Sequence, residues 1–206
     1  MALNGRKFIC DDMLEGLARQ LRSCGVDTEV SYVRDIPAEL LNAIDDSLEK
    51  KRLEVVGGHG ECLAEAKWAK EARSRRKLNV RELQMRRMVE KAERENRVIL
   101  TADKRLYQRQ LYDRTYLVSS SGKRKQLAEV IAVFRISIQE DLLFSRCILC
   151  NGTFELLGDE CEEEKREVQL KWCREKTPEN FWRCGRCAKI YWNGARYKKS
   201  LDSVRS

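Results

Sequence analysis

Histidine occurs once in 206 residues, at position 59, and proline only twice. A single histidine excludes, within one chain, both a paired-histidine ribonuclease mechanism and a multi-histidine metal site. Set in Gly57-Gly58-His59-Gly60, it reads as a surface-loop residue. Two prolines with 36% charged residues argue against a linker-rich or membrane chain. No apolar run approaches a spanning length, and the amino terminus lacks a signal-peptide pattern. The expectation is therefore an intracellular protein of a reducing compartment, cytoplasm or nucleus, without a membrane partner. Its nine cysteines, an odd number, then read as metal ligands and free thiols instead of a disulfide framework.

What is present suits one ordinary domain with a small satellite, since 42% apolar content can fill a core. The stretch Lys7 to Gly25 sets the pattern. Phe8 and Ile9 lie in a short apolar run that stops at Asp11 and Asp12, as a buried strand with acids at its carboxyl end does. Leu14, Leu17, Ala18 and Leu21 then recur at helical spacing, with Glu15, Arg19, Gln20 and Arg22 on the opposite face. Asp12 and Glu15 have capping-box spacing, and Gly25 closes the helix. Asp12 is the better cap by position, which leaves Asp11 without a structural task; the plainer alternative is that both acids only cap the helix.

Further along, residues 27–33 alternate as a second strand, and Pro37 opens a helix with Leu40, Leu41, Ile44 and Leu48 on one face. Residues 61–96 read as helical and basic, with Met85, Met88, Val89 and Ala92 facing a core. Arg97 to Thr101 is a second buried strand and also ends near an acid, Asp103. A short strand at 116–118 leads into a helix with Leu127, Val130, Ile131 and Phe134 inward. Alternating strands and helices predict an α/β fold with a largely parallel sheet, whose right-handed crossovers bring strand ends to one edge. Asp11 and Asp103 can meet there. Converging carboxylates suit Mg²⁺ or Mn²⁺, which would serve phosphodiester hydrolysis without any histidine. The alternative for Asp103 is a turn residue.

Cys147 and Cys150 form one C-x-x-C pair, and Cys184 and Cys187 another, with 33 residues between them. Two such knuckles complete a closed Cys₄ zinc site, structural in kind, and Asn151-Gly152 and Asn193-Gly194 supply hairpin turns. A redox C-x-x-C is the rival reading. The intervening Glu160, Glu162, Glu163 and Glu164 predict a solvated loop, and Cys161 and Cys173 ordinary thiols. Trp182, Tyr191 and Trp192, amid Arg183, Arg186, Lys189 and Arg196, could stack bases or form the lobe's core. Residues 65–94 hold eleven Lys or Arg against five Glu. That stripe suggests a nucleic-acid backbone contact through Arg73, Arg75, Arg76 and Lys77, or else a solvated face.

Phe8-Ile9-Cys10-Asp11-Asp12-Met13-Leu14, Leu17-Ala18-Arg19, Leu21-Arg22, Arg97 to Asp103, Gln126-Leu127, and both knuckles with Tyr191-Trp192-Asn193-Gly194 together resemble the Mut-seven C-terminal RNase domain family. The resemblance implies a PIN-like domain over 1–140, interrupted by an insertion at 36–78, and a zinc ribbon over 145–198. It further implies a metal-dependent ribonuclease acting on single-stranded RNA, with Asp11 and Asp103 on the family's acidic positions. A third acid is expected about six residues ahead of Ala92, where this chain has Arg86 and Arg87; Asp35, Glu82 and Glu90 are the substitutes. The alternative is a non-catalytic RNA-binding or protein-interaction module that accompanies an exonuclease domain or another RNA-processing protein.

Overall fold

The computed structural model describes residues 5–56, 62–172, 178 and 180–193. The glycine cluster with His59, and also Cys173, Gly194 and Arg196, lie outside them. Strand β1 spans Lys7–Asp11, Asp12–Leu14 make a 3₁₀ turn, and α1 covers Glu15–Ser23. Then come β2 (Thr28–Ser31), α2 (Ala38–Val56), α3 (Cys62–Glu95), β3 (Arg97–Thr101), α4 (Lys104–Gln108), β4 (Thr115–Leu117) and α5 (Lys123–Phe134). The fold is mixed α/β, as expected, with a parallel four-stranded sheet in the order β2-β1-β3-β4. β3 and β4 run parallel, with Leu100 opposite Tyr116. The two continuous apolar runs occupy the central strands because only there are both faces covered. Among the described residues, no helix is long and apolar enough to cross a membrane.

The chain groups into two compact units, one of Ile9–Leu14 and Val30–Leu117, the other of Met1–Phe8, Glu15–Glu29 and Val118–Ser206. In the first, Ile9, Met88, Ala92 and Ile99 form a buried cluster, with Val89, Leu106 and Tyr112 packed on it. The expected stripe of α3 is thus the core side of that helix. Asn96, in the left-handed region at φ 55°, ends α3 and turns the chain into β3. α2 packs on α3, but of its expected apolar face only Leu48 is buried, whereas Leu40 is 38% exposed. A two-helix hairpin has a narrow contact strip, and one residue of the four falls within it.

In the second unit α1 packs on α5. Gly25, at φ 79°, closes α1 so tightly that a Cβ would lie 2.4 Å from the Leu142 carbonyl oxygen. Arg22 departs from its expected solvent face. It is 1% exposed, and its guanidinium donates to the carbonyls of Thr28 (2.7 Å), Ile148 (2.9 Å) and Leu149 (2.9 Å). Periodicity assigned it outward by its charge, yet it binds main chain that no helical wheel displays. Arg22→Met should therefore lower stability by about 2 kcal/mol, since buried carbonyls lose a charged donor; urea unfolding would measure it. An unchanged midpoint would mean that those carbonyls find water instead.

A second, three-stranded sheet, in the order β5-β6-β7, is formed by β5 (Phe154–Leu156), β6 (Phe181–Cys184) and β7 (Ile190–Trp192), all antiparallel. The acidic insert is not the solvated loop expected. Residues Glu162–Trp172 form helix α6, with Glu162, Glu163 and Glu164 in its first turn. Acids there complement the amino-terminal end of the helix dipole, so the same charge that argues against packing supports the helix. Lys165 lies near both Asp159 and Glu162, and Glu164 is ion-paired with Arg183.

Candidate functional site

Asp11 ends β1 with 3% exposure, and both of its oxygens are engaged. Oδ1 accepts the Leu14 N–H at 3.1 Å, so Asp11, and not Asp12 as spacing suggested, caps the turn into α1. Oδ2 accepts the Thr101 hydroxyl at 2.5 Å and the Ala102 N–H at 3.2 Å. Thr101 Oγ1 in turn accepts the Asp103 N–H at 2.9 Å, which fastens the ends of β1 and β3 together through one hydroxyl. Burial holds the Asp11 carboxyl above its usual range. The Thr101 and Ala102 donors and the nearby Arg81 charge oppose that rise, and Asp12 adds to it.

Asp103 caps α4, its Oδ1 accepting the N–H groups of Arg105 (2.9 Å) and Leu106 (3.4 Å). Its Oδ2 lies 3.8 Å from the Arg81 guanidinium, which also donates to Asp12 Oδ1 at 3.0 Å. Asp11 and Asp103 both line one cavity of about 90 Å³, together with Glu82, Arg81, Arg105 and Arg109. Of the candidates for a third acid, Glu82 alone lines this cavity; Asp35 and Glu90 are exposed. Glu82 is flanked by Arg86 at 3.1 Å and Arg109 at 3.7 Å. Sequence reasoning found the acids but missed Thr101 and Arg81. A threonine two residues ahead of a candidate acid was the available signal for the first.

The donor set fits a hard divalent cation in kind: carboxylate oxygens at a polar cavity, with room for water. Lone pairs remain, because Asp11 accepts three bonds of the roughly four a carboxylate can take. Asp103 offers Oδ2, provided that Arg81 yields it.

The four cysteines also meet. The Sγ atoms of Cys147, Cys150, Cys184 and Cys187 all lie within 4.8 Å of one another, with Cys147 to Cys187 at 3.7 Å and Cys150 to Cys184 at 3.3 Å. Tetrahedral zinc with bonds of about 2.3 Å spaces its sulfurs about 3.8 Å apart, so the quartet could hold such a metal. Gly152 is required beside it, since a Cβ would come within 2.7 Å of Cys184 Sγ. Burial raises the Cys147 thiol, but the Tyr191 hydroxyl, 3.1 Å away, and knuckle N–H groups outweigh it and bring the thiol down to about 7. Asn151, at φ 68°, turns the first knuckle and spends its side chain on Thr28 N–H (3.0 Å), Asp27 (2.8 Å) and Glu29 (3.2 Å).

The family model described as Mut7-C RNAse domain matches residues 6–55 and 66–204. The chain belongs to that family. Membership supports a nuclease-like role and interaction with nucleic acid. Neither curated proteins nor solved structures gave a match. Most of the segment 36–78, expected above to be inserted, lies inside the matched residues, and the match is interrupted where α2 gives way to α3.

The basic positions of this Mut7-C domain do not form one face. At about 100° per residue, Arg73, Arg76 and Lys77 share a side of α3 and Arg75 lies across from Arg73. Arg76 forms a two-pronged pair with Asp45 of α2 at 2.5 and 3.0 Å. Arg73, Arg75 and Lys77 are exposed. In the ribbon, Arg186 reaches Glu29 at 2.8 Å, Lys189 sits 5.7 Å above the Tyr191 ring, and Phe181, not a tryptophan, is the buried aromatic of β6.

Proposed function

We propose that this chain is a metal-dependent ribonuclease in which Asp11 and Asp103 hold Mg²⁺ or Mn²⁺, with Glu82 as the third acid. One observation carries the reading: two acids from the ends of neighbouring strands β1 and β3 line a single cavity. When bound, such an ion supplies a more acidic water and neutralises charge developing on a phosphodiester. The chain's own part is to fix the acids. Thr101 and the Leu14 and Ala102 amides hold Asp11, and the first amides of α4 hold Asp103. The four cysteines bind a structural zinc that holds the ribbon, within residues 145–198, while the acids lie within 1–140. The deciding experiment is hydrolysis of single-stranded RNA by the purified chain with and without added Mn²⁺. Cleavage that needs Mn²⁺ supports the reading, and none under either condition removes it.

The second reading, a non-catalytic RNA-binding or protein-interaction module accompanying an exonuclease, is favoured by charge. Three acids and three arginines line the cavity, and Asp103 and Glu82 already lie beside Arg81 and Arg109 as counterions. In the ribonuclease and the RNA-binding readings alike, the exposed cations of α3 meet the RNA backbone. Neutralising Arg73 and Lys77 together should reduce the slope of log affinity against log salt by about 1.4, at roughly 0.7 per single-strand phosphate contact. Arg76 is left intact because it holds the α2–α3 hairpin. An unchanged slope would make the stripe a solvated face.

A further inference from the structure

Arg81 sits where its charge serves the acids and not the solvent. It bonds Asp12 Oδ1 at 3.0 Å, lies 3.8 Å from Asp103 Oδ2, and touches the Met13 sulfur at 3.2 Å. Yet it is not locked in: its side chain is 36% exposed, and it lines the same cavity as Arg105. The Arg105 guanidinium has no carboxylate partner among the described residues, although its backbone N–H is bound by Asp103. A partly exposed guanidinium shared by two carboxylates, lining one cavity with a second that bonds no carboxylate among the described residues, has the composition of an anion site.

We propose that Arg81 is an exchangeable counterion: without RNA it neutralises Asp12 and Asp103, and when RNA binds it moves to a backbone phosphate, with Arg105 as the second phosphate donor. The move frees Asp103 Oδ2, while Arg81 and Arg105 stay in the cavity to balance the arriving phosphate. Guanidinium suits both states because its planar fork matches carboxylate and phosphate alike, whereas an ammonium would serve only as a point charge. The exchange costs little because a partly exposed ion pair, screened by water, contributes little to stability. It rests on the RNA-binding half of the proposed function and does not require cleavage.

The test is a double-mutant cycle on binding of a short 2′-O-methyl oligouridylate, which cannot be cleaved through its 2′ position, to the full chain with no divalent ion added. Arg81→Gln should weaken binding several-fold. Asp12→Asn should tighten it about threefold by releasing Arg81. In the Arg81→Gln background Asp12→Asn should tighten binding distinctly less, and Arg81→Lys should recover part of the loss. Thermal melts of each variant confirm that folded protein is compared. If Asp12→Asn has the same effect in both backgrounds, or Arg81→Gln binds as wild type does, Arg81 is a fixed structural ion pair and the proposal fails. Mn²⁺-dependent cleavage is scored separately, so a chain that passes the cycle yet cleaves nothing loses the nuclease reading and keeps this one.

Discussion

Cys184→Ser should strip the chain of zinc and unfold the ribbon while leaving the α3 hairpin helical. Three strands of three or four residues carry little apolar burial of their own, with Phe181 and Leu157 its main buried side chains outside the cysteines. A structural zinc contributes on the order of 10 kcal/mol to such a lobe, far more than this sheet can supply alone. Cys184 is 1% exposed at the end of β6, so serine there leaves a poorer ligand in a buried place. Damage should spread along the hydrogen bonds that leave the first knuckle. Arg22 holds the Ile148 and Leu149 carbonyls, and Asn151 holds the Thr28 N–H. Hydrogen exchange should therefore lose protection at Thr28 as well as in β5 to β7, while Met88 and Ala92 keep theirs. Metal analysis that finds no zinc in the wild-type protein removes the premise.

The strand, acid, helix order was legible because each element is marked locally: an apolar run, a carboxylate, then a 3.6-residue period. The same logic failed where a polar residue was buried by a distant partner. Arg22 read as solvent-facing from its period, yet it binds main chain more than a hundred residues away, and Glu29, buried in β2, pairs with the distant Arg186. Nothing in a local window announces such partners. The quartet of cysteines was legible for the opposite reason, since knuckle spacing is a local signature of a site completed at long range. The acids lay between these cases. Their positions at strand ends could be read, but not the Thr101 hydroxyl that joins them, nor the Arg81 that neutralises them. A run of basic residues likewise says nothing of which cation is already taken, and Arg76 is taken by Asp45.

That geometry decides which acid variant can be interpreted. Asp103→Asn keeps the Oδ1 that accepts Arg105 and Leu106 N–H and alters only the Oδ2 beside Arg81. The fold should survive, and Mn²⁺-dependent cleavage of single-stranded RNA should fall at least about a hundredfold, as it does when one group that holds developing charge is removed. Asp11→Asn should abolish cleavage similarly but also cost stability. Asp11 accepts donors at both oxygens, so an amide turned either way sets its NH₂ against the Leu14 or the Ala102 N–H, at about 1–3 kcal/mol. The double variant should be little slower than the slower single one, since both acids serve one ion. The pH dependence has a defined sign. With the Asp11 carboxyl raised above 3.8 by burial, its contribution favours folding below that value and is lost as pH rises through the raised one. The titrating loss is absent from Asp11→Asn, so the stability gap between wild type and variant should narrow as pH rises through that range. Cleavage must run the other way, rising with pH as the same carboxyl ionises to bind its ion. If cleavage ignores Mn²⁺ and Asp103→Asn matches wild type, Asp11 and Asp103 are a cap and a turn, and the chain holds RNA without cutting it there.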